Sequence, residues 1–172
     1  MTIWGIWFSA DFGLSAAALG LVATGIGLAE LSGIVLSGLF IDRIGKHLGS
    51  QIGLLLTASV FMLLPLTQSS LFLAVLTLIC LGGVLEFTTI SLFSLYSEQA
   101  PEARAMVFSL TGLGLAVGLA LGPPVTIVLW ERASLWAVSV VCTGCLGLAF
   151  ILVWRALRER SGPRLEIERG LM

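Results

Sequence analysis

The sequence predicts an all-α integral membrane protein, a multi-span helical bundle. Three observations carry that expectation. Of 172 residues, 58% are hydrophobic and only 11% charged, with a mean hydropathy of +1.06. Soluble domains carry about 25% charged residues, so a chain this apolar has too little polar surface to face water. The apolar residues fall into five long runs, over 17–41, 51–66, 71–96, 106–130 and 134–154. None of these runs contains Lys, Arg or His. Finally, the connections between them are short, as in a compact bundle.

Met1 to Phe8 (MTIWGIWF) is apolar but too short for a span, which needs about 20 residues. It has neither a basic n-region nor a small-residue cleavage site, so it does not read as a signal peptide. It reads as the end of a helix. Trp4, Trp7 and Phe8, followed by Ser9 and Asp11, fit an aromatic belt at the membrane surface. The five runs then follow as spans. They are far too long for strands, and in lipid every backbone polar group must be satisfied inside its own segment, so they are helices. The second is the shortest. After Trp154 the chain turns polar, and Ser161, Gly162 and Pro163 end any helix. Residues 157–172 read as a polar, disordered cytoplasmic tail.

Basic residues set the sidedness. The 42–50 segment carries Arg43 and Lys46, and the 97–105 segment carries Arg104. Arg155, Arg158, Arg160, Arg164 and Arg169 follow the last span. These segments alternate with 67–70, which has no charge, and 131–133, which has Glu131 and Arg132. The expectation is a plasma (inner) membrane protein with both basic loops and the C-terminus in the cytoplasm.

Little points to an enzyme. The single histidine, His47, lies in a loop, and there is no phosphate-binding glycine loop or H-E-x-x-H. No cofactor or metal site is expected. Cys80, Cys142 and Cys145 all lie in apolar runs and read as small packing residues, Cys142 and Cys145 forming a C-x-x-C without further ligands nearby. No basic run with interleaved aromatics is present, so nucleic acid is not an expected partner.

The stretch between the first two spans reads GLFIDRIGKHLG. Gly38, Asp42, Arg43, Gly45 and Lys46 give it a spacing that resembles the cytoplasmic loop signature of the major facilitator superfamily, G-x-x-x-D-R-x-G-R-K. His47 departs from that pattern. Gly38 would let a helix end approach a neighbour, Gly45 permits the reversal, and Asp42 is an anion suited to a helix N-terminus. The 97–105 segment, SEQAPEARA, resembles the loop joining the tenth and eleventh helices of the same superfamily. Asp42 and Arg104, on one predicted face, would then form a cytoplasmic gate. The fourth span has Gly114, Gly118 and Gly122, then Pro123 and Pro124. Small residues every fourth position let helices pack closely, and proline bends or breaks a helix. Gly118 to Pro123 is similar to part of the glycine-proline motif of the superfamily's antiporters, but plain helix packing is the simpler expectation. The first span has a comparable stripe of Gly25, Ala29, Gly33 and Ser37.

Two carboxylates interrupt the spans, Glu30 in the first and Glu86 in the third. A charge at the bilayer centre costs at least about 2.5–3.5 kcal/mol, so such groups usually face a cavity and serve function. Three states remain open: each is protonated, each pairs with a residue outside this chain, or each binds a cation or proton in turn. Glu86 has Thr88, Thr89 and Ser91 close in sequence, which points to a wet cavity.

The resemblance covers about residues 1–156 and implies half of a transporter of this superfamily, helices seven to twelve. Met1 to Phe8 would be the remnant of the seventh helix. The N-terminal half is the alternative by pseudo-symmetry. The C-terminal half is preferred because the third span lacks an intramembrane arginine and a polar tail follows the last span. The implied activity is secondary transport of a small solute by alternating access between two halves. The implied partners are the lipid bilayer, the solute, and a missing half or a second copy of this chain. The competing expectation is a non-transporting membrane interaction or assembly protein, or a degenerate remnant.

Overall fold

A computed structural model describes residues 4–99 and 103–161, without the side chains of 42, 98, 99, 104 and 156–161. Among the described residues there are helices and no strand. They are α1 (Trp4–Phe12), α2 (Ala16–Ile44), α3 (Lys46–Leu63), α4 (Leu71–Gln99), α5 (Arg104–Arg132) and α6 (Leu135–Ser161). Five are long and apolar enough to cross a membrane. The expected helical membrane bundle is therefore the architecture found. The expected tail over 162–172 lies outside the described residues.

Each helix boundary has a local cause. Gly13, at φ +62°, turns the chain between α1 and α2. The Ser15 hydroxyl then accepts the Ala18 amide at 3.3 Å and caps α2. Gly45 alone separates α2 from α3. Its amide donates to the Ile41 carbonyl at 2.9 Å, and its φ of +88° with ψ 144° is backbone that a side chain resists. Gly45→Ala is therefore expected to lower stability by about 1–3 kcal/mol, read as a lower midpoint of thermal unfolding in detergent. The α3 helix starts at Lys46, five residues before the span expected from 51, because the turn needs only one residue. It closes in a 3-10 turn over Leu64–Thr67, with Pro65 in its first turn where the missing amide costs nothing. Between α5 and α6, the amides of Ala133 and Ser134 both donate to the Leu129 carbonyl, at 3.0 and 3.3 Å.

Packing centres on α4, which lies against α2 on one side and α3 on the other, while α6 packs on α3. The α2 stripe is the tightest seam. A Cβ on Gly33 would collide with the Gly83 carbonyl, and one on Gly83 would lie 3.0 Å from the Ala29 carbonyl oxygen. Gly25 sits against Ile79, and Ser37 is fully buried. On the α3 side, a Cβ on Gly53 would come within 2.7 Å of the Thr88 hydroxyl. The hydroxyls of Thr57 and Thr88 lie 2.9 Å apart there, and each also reaches a carbonyl of its own helix, Gly53 and Val84. Close contact of small residues supplies the attraction that lipid cannot, because hydrocarbon is as apolar as the helices themselves.

At one end of the bundle, α1 folds into the core. Trp7 and Phe8 are buried among Leu64, Leu78, Leu81 and Leu135. The two rings stack with centroids 4.9 Å apart, and Phe12 meets Phe8 edge-on at 5.6 Å. The Trp7 indole N–H donates to the Asp11 carboxylate at 2.7 Å. These positions correct the expected aromatic belt. Trp7 and Phe8 face inward, because Asp11 one turn on satisfies the indole and leaves its ring free to be buried.

The α5 helix differs from the others. No residue between Ala105 and Arg132 is fully buried.

Candidate functional site

Glu30 and Glu86 sit on the α2–α4 seam. Gly82 of α4 has no side chain, and that absence makes room for Glu30: a Cβ on Gly82 would lie 3.4 Å from the Glu30 Cγ. Glu86 is four residues beyond Gly82, on the same face of α4 and about 6 Å further along it. Both carboxylates are half-buried. Neither has a hydrogen-bond or ion-pair partner among the described residues.

Of the hydroxyls expected around Glu86, Thr88 and Ser91 lie elsewhere. Thr88 is two residues on, which turns it about 200° round the helix, toward α3. It is buried against Thr57. Ser91 is fully buried and donates to the Phe87 carbonyl at 2.7 Å, and Thr89 donates to the Leu85 carbonyl at 2.9 Å. Thr88 and Ser91 belong to helix packing, while Thr89, three residues from Glu86, keeps to the same side of the helix.

A cavity of about 240 Å³ opens between α1, α4, α5 and α6. Trp4, Trp7, Leu81, Gly118, Pro123 and Cys142 are among its walls. Its lining does not include Glu30 or Glu86, so the structure does not bring the carboxylates and this cavity together.

The loop motif is placed in part. Gly45 makes the turn described above. Arg43 and His47 are exposed and Lys46 is half-buried. Among the described residues no atom lies within 4 Å of a Cβ built on Gly38, so the close approach expected there is not made by any of them. The side chains of Asp42 and Arg104, and with them the expected gate pair, lie outside the described set. The loop expected over 97–105 is shorter than it reads in sequence, since α4 runs to Gln99 and α5 begins at Arg104.

The glycine stripe of α5 also departs from expectation. Gly114, Gly118 and Gly122 have nothing within 4 Å of a built Cβ among the described residues, so they pack against none of the described helices. Pro123 and Pro124 do not break α5, which continues through them to Arg132. Cys80 and Cys145 are exposed rather than packed, while Cys142 is half-buried on the cavity wall. The Thr57–Thr88 contact was not foreseen. Its signal was readable, since Gly49, Gly53 and Thr57 repeat every fourth position along α3.

Comparison with known proteins adds one finding. A family model described as Major Facilitator Superfamily matches residues 1–171. No curated protein and no solved structure gave a match. The superfamily consists of membrane transporters and is generally non-enzymatic. With the match spanning nearly the whole chain, and five apolar helices to carry it, this chain is a helical membrane protein that belongs to the Major Facilitator Superfamily.

Proposed function

We propose that this chain is one half of a secondary transporter and moves a small solute, with protons as the coupling ion. In this reading α2 to α6 stand as the eighth to twelfth helices and α1 as the end of the seventh. The 42–50 turn, Arg104 and the C-terminus face the cytoplasm, in the plasma membrane. Asp42 and Arg104 close that side in one conformation, as an exposed pair contributing only about 0–1 kcal/mol. Such a pair suits a gate that must open.

The observation that carries the reading is the carboxylate seam. Two half-buried glutamates lie about one helical turn apart inside apolar helices, with no partner in the described chain. Carboxylates within transmembrane segments ordinarily face a cavity and mark proton or ion pathways. Glu86 is the first candidate and Glu30 the second. The bare face of α5 supports the other part of the reading, a second half or a second copy that completes the path.

Glu86→Gln in the assembled transporter fixes a neutral side chain of nearly the same shape. The variant is expected to keep normal expression and lose the pH-dependent component of solute uptake. Uptake with an unchanged pH profile would remove Glu86 from the mechanism. Solute flux in liposomes holding this chain alone would overturn the need for a separate second half and leave a second copy of the chain as the partner.

A further inference from the structure

We propose that the groove between α2 and α3, floored by α4, holds an acyl chain of an anionic phospholipid whose phosphate sits at the turn over 43–47. The groove has a volume of about 580 Å³. Gly33 and Gly83 form part of its floor, and the exposed side chains of Phe40 and Ile52 stand on its rims. Along α2 it runs from Ala29 to Ile44. Fifteen helical residues span about 22 Å. One leaflet has about 15 Å of hydrocarbon and a headgroup layer beyond it, so the groove is one lipid long.

Its two ends differ in charge. Among the described residues no cation lines the Ala29 end. The Ile44 end abuts Arg43, which is exposed, and the half-buried Lys46. Together these two cations outnumber Asp42. The α3 helix also starts here, and its first turn contains no acidic residue. A helix N-terminus carries about half a positive charge, and it adds to the two side chains. An apolar slot one leaflet long with cations at a single end matches a ligand with an anionic head and a long apolar tail. A transmembrane helix would have no use for that charge, and a zwitterionic lipid would gain little from it. The inference holds whichever side of the membrane the turn faces.

The test uses the full chain in phosphatidylcholine vesicles. A small fraction of the lipid is phosphatidylglycerol or phosphatidylcholine with a photoreactive group in the acyl chain. After irradiation, label should concentrate on the peptides holding Phe40 and Ile52, about five-fold more from phosphatidylglycerol, as expected for one basic residue near an anionic headgroup. Arg43→Gln with Lys46→Gln should bring the two lipids to parity while acyl label stays in the groove. Cys80→Trp, which fills the floor from an exposed position, should remove label from both lipids. Three results would overturn the proposal: equal labelling in the unaltered protein, a phosphatidylglycerol excess that survives loss of both cations, or no lipid label because a second copy or another helix covers the groove.

Discussion

Gly33→Leu is expected to separate α2 from α4 and to cost about 3 kcal/mol or more of stability. The site leaves no slack. A single added Cβ would already collide with the Gly83 carbonyl, and Gly83 in turn faces the Ala29 carbonyl. The obstacle is backbone on both sides, so no rotamer change relieves it. The helices must move apart, and every van der Waals contact along Gly25, Ala29 and Ser37 loosens with them. Whole domains are stable by only about 5–15 kcal/mol, so the loss is a large share of the total. Gly27→Leu is the matched control, because nothing lies within 4 Å of a Cβ there on the same helix. It should change stability by no more than about 1 kcal/mol, in the favourable direction, since leucine is the better helix former. Thermal unfolding of the two variants in one detergent reads the difference. Equal midpoints would show that the α2–α4 seam does not hold the fold.

Gly118→Leu is expected to behave in the opposite way. In the chain alone it should fold as well as the original, or gain up to about 1 kcal/mol from helix propensity, because no atom comes near that position. On the proposed half-transporter reading it should abolish association with a second half, and transport with it. The new side chain would stand on the α5 face and in the mouth of the cavity that Gly118 lines. Co-purification of the two halves and uptake at matched expression are the measurements. A destabilised isolated chain, or full uptake, would sink the prediction. Set beside Gly33→Leu, the variant separates a glycine packed against a neighbouring helix from one that meets none of the described residues.

The contrast between these two glycines also shows what the sequence could carry. Helix number and rough extent were legible, because apolar length without Lys, Arg or His leaves a bilayer-spanning helix as the one way to satisfy the backbone. The reversal at Gly45 was legible too, since its φ demands glycine. Which stripe meets which neighbour was not. Gly25 to Ser37 and Gly114 to Gly122 have the same period, yet among the described residues only the first touches another helix. Period four identifies a face and says nothing of what lies opposite. Trp7 misled for a related reason. An indole near a chain end reads as a surface anchor until Asp11 is seen to take its N–H. Glu86 was legible as an intramembrane carboxylate, but of its expected polar company Thr88 turns to α3 and Thr89 keeps to its side. Neighbours two apart in sequence point to opposite sides of a helix.

The paired prolines of α5 have a mechanical consequence. Neither Pro123 nor Pro124 carries an amide proton, so the carbonyls of Leu119 and Ala120 are without their usual donors. Two adjacent rungs of the ladder are missing in a helix that otherwise runs unbroken from Arg104 to Arg132. Bending stiffness is lowest where rungs are absent. The segments on either side of the prolines form two stiff rods joined by a pivot. They can tilt against each other without breaking a further hydrogen bond, and the pivot opens onto the space walled by Trp4 and Trp7.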